Sequence, residues 1–163
     1  MTKVQKHPGM TNADFEELGR YVRWMANDMG LRDWWFDLKW DVPRREDGAE
    51  HMDAGASIKP IYGKKLALLW FSRDFRDEPP DRQRVWVCHE LLHCHFDTID
   101  TLTSNELQTH LGEIYYQAWY PAMKLAIEHC INAIAEEWGP KMPMIDWPTA
   151  REAKPKKKSK KRS

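Results

Sequence analysis

The segment His89-Glu90-Leu91-Leu92-His93 constrains this chain more than any other stretch. Two histidines at i and i+4 share one face of a helix, one turn apart. Their ring nitrogens can converge on a single ion about 2.0–2.1 Å away. Val85-Trp86-Val87-Cys88 precede the motif and Leu91-Leu92 lie within it, so the spacing predicts a largely buried helix. Two histidines and a glutamate are costly to bury unless something pairs with them, and a zinc ion does. The fold must therefore keep this helix inside while leaving its histidine face open to a cleft.

A catalytic zinc usually takes three protein ligands and keeps one open position. Glu128 follows His93 by 35 residues and falls beside the stripe Met123, Ile127, Cys130, Ile131, Ile134 and Trp138 of a later helix. Asn132, one turn on, suits a hydrogen bond that orients a ligand. Asp97, Glu106, His110 and Glu113 compete with Glu128 as the third ligand. Three ligands along one straight helix converge poorly, which weighs against Asp97. His95 points about 200° away from His93. Cys88 and Cys94 lie on other faces and read as core thiols. Glu90 projects beside the metal face, where it can take a proton from water as that water attacks a carbonyl. The expected chemistry is zinc-dependent hydrolysis of a peptide bond in a protein or peptide substrate; the alternative is a non-catalytic zinc site in a protein-binding module.

The rest of the chain supplies an α+β frame. Thr11 and Asp14 resemble a capping box, and Phe15, Leu18, Tyr21, Val22, Met25 and Met29 recur at helical spacing up to Gly30. Residues 34–42 alternate with period two and read as a half-buried strand. Ala56–Ile61 reads as a second strand, and 66–72, apolar on both faces, as a third. Connections too short for helical crossovers predict an antiparallel or mixed three-stranded sheet made of hairpins. Asp81 is the expected cap of the motif helix, which ends near residue 97. Ser104 or Asn105 starts a further helix, and Pro121 suits the first turn of a last one that stops at Gly139-Pro140. The domain is expected over 12–143, with a flexible arm at 1–11 and a disordered basic tail at 144–163.

At HELLH, Glu128-His-Cys-Ile-Asn132-Ala-Ile-Ala135 and Met142-Pro143, the chain resembles the ImmA/IrrE-type metallopeptidases, a gluzincin group also found in phage genomes. The resemblance covers about residues 12–143. It implies a minimal zincin-like core of a helix, a small sheet, the HExxH helix and a helix carrying Glu. It assigns His89, His93 and Glu128 as zinc ligands and Glu90 as the base. With the small size of the chain, it also implies a phage-encoded relative acting in the host cytoplasm on a regulator or repressor. No helix-turn-helix module is evident in the sequence.

Hydrolysis also needs a donor for the developing oxyanion. Tyr115, Tyr116, Tyr120 and His110 are candidates, with Tyr116 the first choice. Strand 66–72 is the expected edge for an extended substrate. The net charge of zero hides an asymmetry. Residues 151–163 hold eight of the 25 basic residues and one of the 25 acidic ones, so the tail carries +7 and the rest −7. Residues 154–162 could contact nucleic acid non-specifically. An odd cysteine count and no apolar leader point to a reducing cytoplasm. No apolar run reaches the length of a membrane span.

Overall fold

A computed structural model describes residues 9–40, 55–61, 63–104 and 108–148. Helix α1 spans Asn12–Asp28 and opens on the predicted capping box. The Asp14 carboxylate accepts from the Thr11 backbone N–H at 2.8 Å, and the Thr11 hydroxyl accepts from the Asp14 N–H at 3.3 Å. Asp14 does more than cap. It is buried, and its other oxygen takes an Arg76 guanidinium hydrogen bond at 2.6 Å. The pair ties the helix start to a 3-10 turn at Phe75–Asp77.

Three strands follow: β1 (Trp35–Trp40), β2 (Ala56–Pro60) and β3 (Leu66–Phe71). Their order is β1-β3-β2, with β1 parallel and β2 antiparallel to β3. The sheet is therefore mixed, and only β2–β3 is a hairpin pair. The connection after β1 carries the chain to the far edge, and the return strand β3 fills the middle. Composition explains the choice. Ala67, Leu69 and Phe71 are fully buried while Leu66, Leu68 and Trp70 are half-covered on the other face, and a strand apolar on both faces belongs at the centre.

Helix α2 spans Pro80–Leu102. It starts at Pro80, with Pro79 at the cap position and no side-chain cap, so Asp81 lies inside the first turn rather than capping it. It also runs five residues past the predicted end at 97. A short α3 (Gln108–Leu111) precedes α4 (Glu113–Trp138). The expected break at Pro121 is absent, and Pro121 lies inside α4. Losing one N–H there frees the Gln117 carbonyl on an exposed stretch, where water can replace the lost bond. The chain turns instead at Gly112, whose φ of +74° suits glycine.

α4 ends as predicted and passes into a 3-10 turn at Gly139–Lys141. Gly139 sits against α2. A Cβ built there would lie 2.6 Å from the Val85 Cα, so only glycine allows this approach. The fold also extends past both predicted domain limits. Met10 is buried and its N–H bonds to the Arg73 carbonyl at 3.0 Å. Ile145 is buried, and the Trp147 indole N–H donates to Gln83 at 3.1 Å. The basic stretch 154–162 and most of the N-terminal arm lie outside the described residues. Among the described residues, no helix is long and apolar enough to cross a membrane.

Candidate metal centre

α2 brings His89, Glu90 and His93 to the floor of a cavity of about 750 Å³, and α4 lays Glu128 across from them. The His89 and His93 Nε2 atoms are 3.2 Å apart. Each lies 3.7 Å from a carboxylate oxygen of Glu128. Among the described residues, these three form the one group of three donors close enough to share an ion, with all ligand atoms within 4.8 Å of one another. Two ligands at about 2.1 Å from a tetrahedral centre stand about 3.4 Å apart. The observed spacings bracket that figure, so the donor set fits a metal ion without rearrangement of the helices.

Electrostatics prepare the same donors. Burial lowers the pKa of both histidines, against an opposing pull from Glu128. They are thus held neutral, the form that donates a lone pair. Asn132 lies one turn beyond Glu128, and its side chain accepts a hydrogen bond from the His89 ring, which pulls the His89 pKa up against burial. Burial, then the Glu128 charge, pushes Glu90 up to about 8, and a hydrogen bond from the Ile58 backbone partly offsets this. A bound cation would reverse the shift by favouring the carboxylate.

The cavity wall opposite α2 is β2, all five residues of which line it. This corrects the substrate edge expected at 66–72. β3 is paired on both sides and has no free edge, whereas β2 is the outer strand on the cleft side. Gly55 and Ile61 bond across to β3. Alternation along an antiparallel pair then turns the backbone groups of Ala56, Ile58 and Pro60 outward, which is why the Ile58 N–H reaches Glu90. A second cavity of about 670 Å³ shares Ala56, His89 and Glu90 with the first and continues past Trp86, Asn132 and Glu136. The trough therefore runs to both sides of the histidines. The Gly55 backbone rests on the Trp86 ring, where any Cβ would collide.

Other sequence candidates lie elsewhere. Asp97 lines the cavity and accepts from the Thr101 hydroxyl at 3.4 Å, but it is outside the donor cluster. His95 and His110 are exposed, as is Tyr115, and Glu106 lies outside the described residues. Tyr116 stacks on Tyr120 with ring centroids 4.9 Å apart, and it is not among the residues lining either cavity. The Tyr120 hydroxyl donates to Asp100 at 3.0 Å, and Asp100 and Lys124 line the cavity. Cys88 and Cys94 are buried free thiols, pushed up to about 11 and about 12 by burial, which keeps them protonated.

Nothing in the sequence marks Ile58 as a contributor, because a main-chain N–H has no residue signature. The one available clue was that Ala56–Ile61 reads as a short strand with a proline, Pro60, next to its end, a feature of sheet edges. No family model matches this chain, and no curated protein or solved structure matches it either.

Proposed function

We propose that this chain is a zinc-dependent peptidase whose metal is held by His89, His93 and Glu128. The observation that carries the reading is the convergence of three donors from two helices at metal-ligand spacing. Two neutral imidazoles and one carboxylate form a donor set that suits zinc and leaves a fourth position for water or substrate. The resemblance to ImmA/IrrE-type metallopeptidases supports the same assignment.

When bound, zinc supplies a Lewis acid that polarises the substrate carbonyl and acidifies water. Glu90 accepts the proton of the attacking water and returns it to the leaving amine. Asn132 holds the His89 ring in orientation. The Ile58 N–H keeps the Glu90 carboxylate aimed into the cleft. The substrate lies extended along the outer edge of β2, which offers the Ala56 backbone groups and the Ile58 carbonyl, the Ile58 N–H being taken by Glu90, and no donor at Pro60. A trough that continues beyond the histidines in both directions suits an internal stretch of polypeptide.

The test joins metal content with proteolysis. Mass spectrometry of the purified chain is expected to find one zinc per chain in the wild type and loss of it in Glu128→Ala. Glu90→Gln is expected to keep the zinc and lose cleavage of a denatured protein by about 10²- to 10⁴-fold, the usual worth of a general base. Wild-type cleavage by Glu90→Gln would sink the mechanism. Zinc that survives Glu128→Ala would move the third ligand elsewhere.

A further inference from the structure

The outer edge of β2 serves the two ends of the trough unequally. Gly55 and Ala56 border the end that holds Trp86, Asn132 and Glu136. Pro60 closes the strand toward the end that holds Asp97, Asp100 and Lys124. Ala56 can both donate to and accept from an extended chain. Past it, the Ile58 N–H is taken by Glu90, and Pro60 has no N–H to give. Main-chain pairing therefore grips a substrate near Ala56 and runs out of donors toward Pro60. On that side the substrate must be held by side chains.

Lys124 is the group placed to do this. It precedes Glu128 by one turn on the same side of α4, about 6 Å away along the axis. That is roughly the length of two extended residues. Lys124 lines the cavity, and its charge adds to burial in lowering the His93 pKa. Among the described residues it pairs with no carboxylate, and its ammonium lies 5.6 Å from the centre of the Tyr120 ring. The neighbouring acids are already engaged. Asp100 accepts from the Tyr120 hydroxyl at 3.0 Å, and Asp97 accepts from the Thr101 hydroxyl at 3.4 Å. Lys59 also borders the cavity. Strand alternation, however, sets its side chain with Leu68, on the sheet face away from the buried Ala67, Leu69 and Phe71. Lys124 is thus the uncommitted charge on the Pro60 side.

We propose that Lys124 sets the substrate preference of this site by taking an Asp or Glu side chain within two residues of the scissile bond, on the Pro60 side. This rests on the zinc site and the polypeptide substrate proposed above. An ammonium carries three donors on a flexible stem, so it can follow an acidic side chain without a fixed partner plane. The Tyr120 ring beside it adds an apolar surface that favours the cation. A charge within a cleft also acts more strongly on a bound chain than one on an open surface. A Lys or Arg side chain in the same position would meet Lys124 and be repelled. Recognition is thereby divided, with main-chain pairing at Ala56 indifferent to sequence and the charge at Lys124 selective.

Short peptide hydroxamates test this, because the hydroxamate chelates the zinc and fixes where each side chain falls. The inhibitors differ only in Glu, Gln or Lys at the first or second residue from the chelating group, with one set extending to each side of it. Calorimetry reads their affinity for the zinc-loaded full chain, so no cleavage is needed. In one set the wild type is expected to favour Glu over Gln by about 5-fold, the upper end for an exposed ion pair, and over Lys by more. Lys124→Gln is expected to bind Glu and Gln equally, and Lys124→Glu to favour Lys, both with unchanged zinc content and circular dichroism. Equal wild-type affinity for Glu and Gln in both sets would overturn the assignment. So would a wild-type preference for Lys, which Asp97 and Asp100 would give, or a Glu preference that survives in both variants. A chain that takes up no zinc sinks the metal centre and this preference with it. A Glu preference without cleavage of any polypeptide would overturn the peptidase reading alone.

Discussion

From Ile127 onward α4 lies against α2, with Ile131 and Ala135 buried and Glu128 beside the two histidines. Before Ala126 the same helix turns Ile114, Tyr115 and Trp119 to solvent. The two halves are similarly apolar in sequence. What separates them is Gly139, which lets the C-terminal end approach the Val85 backbone, whereas no comparable glycine serves the N-terminal end. The site is built on the half whose apolar side chains are buried against α2; the other half still reaches α2 through Tyr120 and Asp100 but leaves Ile114, Tyr115 and Trp119 uncovered. Rigid placement of Glu128 therefore comes from packing two to three turns away from it, not from the ligand itself.

Substitutions in the two halves should separate sharply. Ile131→Ala removes a fully buried side chain and is expected to cost about 2–5 kcal/mol in urea unfolding. A cost under about 1 kcal/mol would mean that the C-terminal half is not anchored as described. Gly139→Ala forces a Cβ into the Val85 backbone. It is expected to cost about 1–3 kcal/mol and to weaken zinc binding, read by competition with a chelating dye. Unchanged affinity would uncouple that close approach from the Glu128 position.

Glu90→Gln probes the buried site through pH. In the metal-free chain the Glu90 carboxyl is raised from 4.5 to about 8, so the folded state holds its proton more tightly than the unfolded chain. Its contribution is fully present below about 4.5 and is lost as pH rises through about 8. Glu90→Gln should thus stabilise the metal-free protein above that window, by at most a few kcal/mol, and leave it unchanged below it. Thermal melts across the window that run parallel for the two proteins would contradict the burial of this carboxyl.

Asn132→Ala removes the group that bears on His89 and is expected to weaken zinc binding about 10- to 100-fold with little change in stability. The smallest effect belongs to the uncovered half. Leu125→Ala, at an exposed position, should change unfolding free energy by no more than about 0.5 kcal/mol. A larger loss would show that the N-terminal half is packed within the single chain.

Much of this organisation was legible in the residues. The capping box at Thr11 and Asp14, the three strands and the motif helix follow from local signals, whereas of the stripe expected beside Glu128 only Ile131 is buried and Cys130 and Trp138 are exposed. Longer-range features did not. Pro121 looked like a helix start because proline favours that position, yet an exposed helix interior tolerates it when water takes the freed carbonyl. Asp81 looked like a cap, but Pro80 already occupied the first turn. The hairpin reading of β1 failed because strand order depends on which strand most needs cover on both faces, and β3 does.

By itself the sequence determined the chemistry on offer: two histidines and a glutamate on one helix, and a carboxylate with its asparagine on another. Those are properties of spacing along a helix, which 3.6 residues per turn dictates without reference to any neighbour. The tertiary structure alone decided that Glu128, rather than Asp97 or His110, meets the histidines. It also decided that β2, not β3, borders the cleft and offers a backbone N–H to Glu90. Both outcomes depend on how closely α4, α2 and the sheet approach one another, and steric fit between distant residues sets those distances.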